Sequence, residues 1–133
     1  MKKYLIIALV LIVLFGCKKN PFDYRTKYFG DYNFAIHKTT WTILGQTTDT
    51  TYNSTGIVDY SEENNTILIS FSENVFSEFT IYEDGTLDQC QCNQTPSSFA
   101  SGEFESSKKI RISYGYGGLG ARTNYGITGE KNK

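Results

Sequence analysis

From Gly30 to Ile36 apolar and polar residues alternate: Tyr32, Phe34 and Ile36 fall on one side, Asp31, Asn33 and Ala35 on the other. Side chains of an extended chain point to opposite faces in turn, so a period of two marks a half-buried strand. No segment from residue 17 onward carries convincing helical spacing. The abundance of Tyr, Phe, Thr and Ser also suits strands better than helices. The body of the chain is therefore expected to be all-β.

The remaining strands follow from turn chemistry. The first strand is expected to run on through Trp41 and Ile43 and to turn near Leu44-Gly45-Gln46. The Thr-rich segment 50–60 reads as strand or loop, and Ser61-Glu62-Glu63-Asn64-Asn65 as a turn. Residues 66–71 and 75–82 form a predicted hairpin pairing Phe71 with Val75, Ile69 with Ser77 and Ile67 with Phe79. That register places Ile67, Ile69, Phe71, Val75, Phe79 and Ile81 on one face, and Thr66, Leu68, Glu78 and Thr80 outside; a slip by one residue would mix the two sets. Asp84-Gly85 is a tight-turn dipeptide leading into a short strand. Residues 88–98 show no alternation and read as a loop. Residues 99–105 and 109–116 form a second hairpin, with Glu105 facing Lys109, Glu103 facing Arg111 and Phe104 facing Ile110. After the turn Gly117-Gly118-Leu119-Gly120, a last strand over 122–131 carries Tyr125 and Ile127 on one face. The result is an antiparallel up-and-down meander of about seven or eight strands. Pairing the first strand with the last would close it into a small barrel and remove both exposed edges.

The N-terminus has a different character. Met1-Lys2-Lys3 precedes an apolar run from Tyr4 to Phe15, followed by Gly16 and Cys17. A basic start, a short apolar run and a small residue before a cleavage point make a secretory signal. The run is too short for a membrane-spanning helix, which needs roughly 20 residues. Leu14-Phe15-Gly16-Cys17 resembles the lipobox of bacterial lipoproteins. The resemblance implies a signal peptide over 1–16 and Cys17 acylated with diacylglycerol and an N-acyl chain such as palmitate; the rest then reads as a tether over 17–27 and a single β-barrel domain over 28–133.

The body also resembles small outer-membrane lipoproteins of Bacteroidetes-type bacteria, through Gly30-Asp31-Tyr32-Asn33-Phe34, Gly117-Gly118-Leu119-Gly120 and Gly129-Glu130-Lys131. Its opening strand is similar to the lipocalin Gly-x-Trp start, with Tyr32 in place of Trp. These resemblances imply a lipid-anchored outer-membrane protein with a lipocalin-like barrel. Lys18 after the cysteine fits release from the inner membrane. The absence of an acidic patch in Lys18-Lys19-Asn20 favours the periplasmic face over the cell surface.

The chemistry-bearing residues are few. Gly115-Tyr116-Gly117-Gly118-Leu119-Gly120 spells Gly-x-Gly-x-x-Gly, but a dinucleotide site needs a following helix whose N-terminus meets the pyrophosphate. Strand-like residues 121–127 follow instead. The carboxylates Asp59, Glu73, Glu78, Asp88, Glu103 and Glu105 are scattered, whereas a glycosidase needs two facing one cleft. His37 is the single histidine and no nucleophile motif accompanies it, so no catalytic residue is assigned. The weakly acidic net charge of -1, with scattered lysines, does not suggest nucleic-acid binding.

Cys90 and Cys92 remain once Cys17 is set aside. In an exported protein a disulfide between them is one state, although the ring it closes is very small. Free thiols are another, and a metal site would need further ligands. Tyr32, Phe34, Trp41, Tyr114 and Tyr116 either fill a core or line a ligand cavity at a barrel mouth. The expected function is a non-catalytic, lipid-anchored envelope module that is structural or binds a protein partner. The alternative is a lipocalin-like carrier of a small apolar ligand. Neither cofactor nor metal is expected.

Overall fold

A computed structural model describes residues 23–133 apart from 46, 64, 73–74 and 91–97; the side chains of Ser72, Val75 and Phe76 are also outside the description. The signal segment, Cys17 and residues 18–22 therefore lie outside the described residues, as does Cys92.

A short 3-10 helix, Tyr24–Tyr28, precedes eight strands: β1 (Gly30–Thr42), β2 (Thr47–Tyr60), β3 (Thr66–Ser72), β4 (Val75–Ile81), β5 (Thr86–Gln89), β6 (Ser98–Ser106), β7 (Lys109–Gly117) and β8 (Ala121–Lys131). Each pairs antiparallel with its neighbour, and β8 pairs with β1 to close a barrel. The seam sets Ile36 against Ile127 and Phe34 against Gly129. Closure leaves no free edge along the seam, the expected solution for an up-and-down meander.

The alternation predicted for β1 holds: Tyr32, Phe34 and Ile36 are buried, and Asp31, Asn33 and Ala35 exposed. Every strand sends apolar residues into one contiguous core, which includes Phe34, Val58, Ile69, Phe79, Leu87, Phe104, Ile112 and Ile127. Phe34 lies edge-on to Phe71, its ring centroid 5.5 Å away, and occupies space that side chains at Gly56 and Gly129 would need.

Both hairpin registers hold until the turn, where each bulges. Ile67 faces Phe79 and Ile69 faces Ser77, but Ser72, not Phe71, faces Val75. Gly102 faces Ile112, Glu103 faces Arg111 and Phe104 faces Ile110, but Ser106, not Glu105, faces Lys109. In the second hairpin the extra strand residue fits a two-residue turn, Ser107-Lys108, where the sequence suggests a three-residue loop. The charge pairing moves accordingly: Arg111 pairs with Glu105, and Lys109 reaches across to Glu130 on β8 at 3.0 Å. Thr66, expected outside, is buried, its carbonyl accepting from Arg25 and its hydroxyl donating to the Glu63 carbonyl at 2.8 Å.

Residues 23–27 of the expected tether over 17–27 are described, and they pack against the barrel. Asp23 to Lys27 belong to the body. Asp23 caps the 3-10 helix by accepting from the Arg25 backbone N–H at 3.0 Å. Tyr28 is buried, stacks on Phe104 at 4.0 Å, and lies against the turn at Gly85. Gly85 has φ +93°, and a Cβ there would stand 3.0 Å from the Tyr28 hydroxyl. Asp84-Gly85 therefore serves both the turn and the seat of the 3-10 helix. A polar decapeptide with one proline gave no periodicity from which this docking follows.

Candidate functional site: the two ends of the barrel

The two ends of the barrel differ. One collects the N-terminal ends of β1, β3, β5 and β7 with the C-terminal ends of their neighbours, and the 3-10 helix seals it. The Arg25 guanidinium is buried there. Its Nε and Nη2 donate to the two Asp23 carboxylate oxygens at 2.9 and 2.7 Å, and Nη1 donates to the Thr66 carbonyl at 2.7 Å. The guanidinium lies 4.5 Å from the Tyr60 ring centroid. The Arg25 fork holds the Asp23 carboxyl below the ordinary carboxylate range, chiefly through side-chain hydrogen bonding. The Tyr24 hydroxyl donates to the Ile81 carbonyl at 2.7 Å, and the Tyr32 hydroxyl to the Tyr28 carbonyl at 2.8 Å. Burial pushes the Tyr32 phenol up to about 12. The seal is thus tied to β1, β3 and β4 by side-chain-to-backbone bonds.

Among the described residues the other end is open and uneven. β1 and β2 pair along their full length, from Gly30–Val58 to Trp41–Thr47. β3 pairs only with Ile57 to Tyr60 of β2. Residues 47–56 of β2 therefore run on with no partner strand on their second edge among the described residues, and 47–53 are exposed. β8 accompanies β1 up to Thr42.

Four tyrosines sit on the inward face where this extension begins. Tyr52 on β2, Tyr114 and Tyr116 on β7, and Tyr125 on β8 share the parity of the core residues Val58, Ile112 and Ile127. The Tyr114, Tyr116 and Tyr125 ring centroids are 5.8 to 6.2 Å apart. Lys38 Nζ lies 5.8 Å from the Tyr125 centroid. Desolvation, then a hydrogen bond with Tyr116, raises the Tyr125 phenol well above its ordinary value. Tyr52 and Tyr116 still expose 41% and 45% of their surface. The rings thus form a half-exposed aromatic cluster above the apolar core, with the Tyr125 hydroxyl bonded to Tyr116.

The five aromatic residues singled out in the sequence thus do not share one cavity. Tyr32 and Phe34 are buried in the lower core, at 0% and 1% exposure. Tyr114 and Tyr116 line the open mouth. Trp41 belongs to the outward face of β1, in phase with Asn33 and Ala35, and is 50% exposed. Its distance of five residues from Ile36 puts it on the face opposite the core, against the inward reading from sequence. Tyr52 and Tyr125 were missed as mouth residues; six residues from Val58 and two from Ile127 give their facing.

His37 is on the outer wall, its Nε2 2.6 Å from Asp49 Oδ1, both exposed. Cys90 is buried and disulfide-bonded; Cys17 and Cys92 lie outside the described residues. No group of three metal-ligating side chains occurs among the described residues. Two surface depressions, of about 1280 Å³ beside Asn33, Asn53, Lys109 and Glu130 and about 510 Å³ beside Thr86, Ser101 and Ser113, both lie on the outer wall. No helix among the described residues is long and apolar enough to cross a membrane.

No protein-family model matches the chain, and no curated protein matches it. Among solved structures, it is similar to the YwiB protein from Bacillus subtilis, with 15% identity over 82% of this chain and 99% of that one and a TM-score of 0.48. The functional reading therefore rests on the chain itself.

Proposed function

We propose that the protein is a non-catalytic module of the bacterial outer membrane, anchored by lipid on Cys17, that engages a partner through its open end. The observation that carries this reading is the polarity of the barrel. The anchored segment enters at the sealed end, because Asp23, six residues from Cys17, is locked beneath the barrel by Arg25. Six extended residues reach about 20 Å, so the anchor holds the sealed end near the membrane and points the tyrosine-lined mouth away from it. The reading as carrier of an apolar ligand inside the barrel is the weaker one, since the space below the mouth is taken by the contiguous aromatic and aliphatic core.

Two measurements test it. Cys17→Ala is expected to shift the protein out of the membrane fraction or block its processing; a variant that stays membrane-bound with its leader removed refutes the anchor. Native mass spectrometry of protein purified from its own host is expected to show the lipidated mass alone. A reproducible additional small-molecule mass refutes the choice of a partner-binding module over a carrier.

A further inference from the structure

We infer that the upper half of β2 accepts an extended peptide segment of a partner protein as a ninth strand, placed antiparallel along residues 47–55 with alternate side chains over the tyrosine mouth. The inference deepens the proposed function and rests on its reading of the open end as the working end.

Two separate observations meet at this place. The first is the backbone. An antiparallel ladder to β1 uses the N–H and C=O groups of every second residue of β2; those of the residues between point the other way. Over 57–60 they meet β3. Over 47–55 they meet no strand among the described residues; no backbone–backbone bond found there outside the strands involves them, and the Thr55 carbonyl accepts only a local bond, from Ser54 Oγ at 3.3 Å. Natural edge strands are blunted by lysine, proline or bulges. Thr-Thr-Asp-Thr-Thr-Tyr-Asn-Ser-Thr has none of these, and its register with β1 runs unbroken. Its one charge, Asp49, is engaged by His37 on the neighbouring strand of the same chain. Threonine is also among the residues that favour the strand most.

The second observation is the side chains. A strand laid beside 47–55 sends alternate residues inward, onto the face that carries Tyr52 and looks toward Tyr116 and Tyr125. Tyr52 and Tyr116 are the half-exposed rings of that cluster. The intervening residues point outward beside Asp49, Thr51, Asn53 and Thr55, all polar and exposed. Ladder bonds that supply affinity, with apolar contacts for alternate side chains that supply selectivity, constitute β-strand addition. The occupant that fits is an extended segment with apolar residues at every second position and Thr, Ser or Lys between.

The test uses a synthetic, N-acetylated, C-amidated heptapeptide, Thr-Val-Lys-Phe-Thr-Val-Lys, with the lipid-free Cys17→Ala protein lacking its leader. Two further versions carry N-methyl groups on alternate residues, one set on each edge. Hydrogen exchange is expected to show new protection at alternate amides within 47–55 on adding the parent peptide. One methylated version is expected to bind at least about tenfold more weakly and the other to bind like the parent, since only one edge meets β2. Tyr52→Ala and Tyr116→Ala are expected to weaken binding severalfold while leaving the protection of β6 and β7 unchanged. Equal binding by both methylated versions, or no new protection in 47–55 at millimolar peptide, overturns the inference. Protection of 47–55 that rises with protein concentration and without peptide also overturns it, in favour of a second copy on the same edge. Partner capture at the open end that persists while the peptide fails would refute strand addition and leave the proposed function standing.

Discussion

Replacing Arg25 probes the sealed end of the barrel, because so many bonds converge on that one side chain. Arg25→Ala removes a two-point bond to Asp23, the donor to the Thr66 carbonyl and a guanidinium lying against Tyr60. Hydrogen bonds to charged groups contribute roughly 1.5–3 kcal/mol, and breaking a buried ion pair costs about 3–5 kcal/mol. The Asp23 side chain keeps 10% exposure, so water relieves part of that loss. The expected destabilisation is about 3 kcal/mol, or a fall in Tm of roughly 12 °C or more for a domain of this size. Arg25→Lys keeps the charge but cannot form the fork, and is expected to lose about half as much. In urea melts followed by circular dichroism, a double-mutant cycle with Asp23→Ala should give a coupling of about 2 kcal/mol. A loss below about 0.5 kcal/mol for Arg25→Ala would mean that the 3-10 helix is a loose tether after all, and the assignment of the sealed end would fall with it.

Further outcomes follow from the same geometry. The advantage of the wild type over Asp23→Asn is expected to be full above about pH 4, the ordinary carboxylate range, and to vanish as pH falls through the depressed pKa of the folded state, as read by urea melts across pH. In an alkaline titration followed at 295 nm, Tyr32 and Tyr125 are expected to ionise last, and Tyr32→Phe should remove a transition near 12. Gly56→Ala would drive a methyl group into the Ser70 carbonyl and should cost about 3 kcal/mol, whereas Gly126→Ala, with open space around it, should change stability by less than about 0.5 kcal/mol. The single tryptophan, Trp41, is expected to be readily quenched by acrylamide and to keep its emission when the Thr-Val-Lys-Phe-Thr-Val-Lys peptide binds; a buried, blue-shifted Trp41 would contradict the outward facing of β1 at that position.

Much of the fold was legible because the period of two is physically enforced. Tyr32, Phe34 and Ile36 announce β1, and Ile67 and Ile69 fix a register that a one-residue slip would destroy. The bulges at Phe71 and Glu105 were not legible, since loop length and turn type trade against each other over one residue. The 3-10 helix escaped because its docking depends on tertiary partners, the Thr66 and Ile81 carbonyls, that are distant in sequence. For the mouth, inner-face tyrosines on β7 were visible in the alternation. The stretch of β2 with no partner strand among the described residues was not, because it arises from the difference in length between β2 and β3, and a run of exposed threonines carries no hydrophobic pattern from which to measure that length.

Photo-crosslinking in the native host tests the central claim most directly. A benzophenone amino acid at Tyr52 or Tyr116, on the open mouth, is expected to trap a discrete partner, and the same group at Ser101, on the outer wall, to trap none. Capture from Ser101 with none from Tyr52 or Tyr116 would place the working surface on the barrel wall and contradict the account.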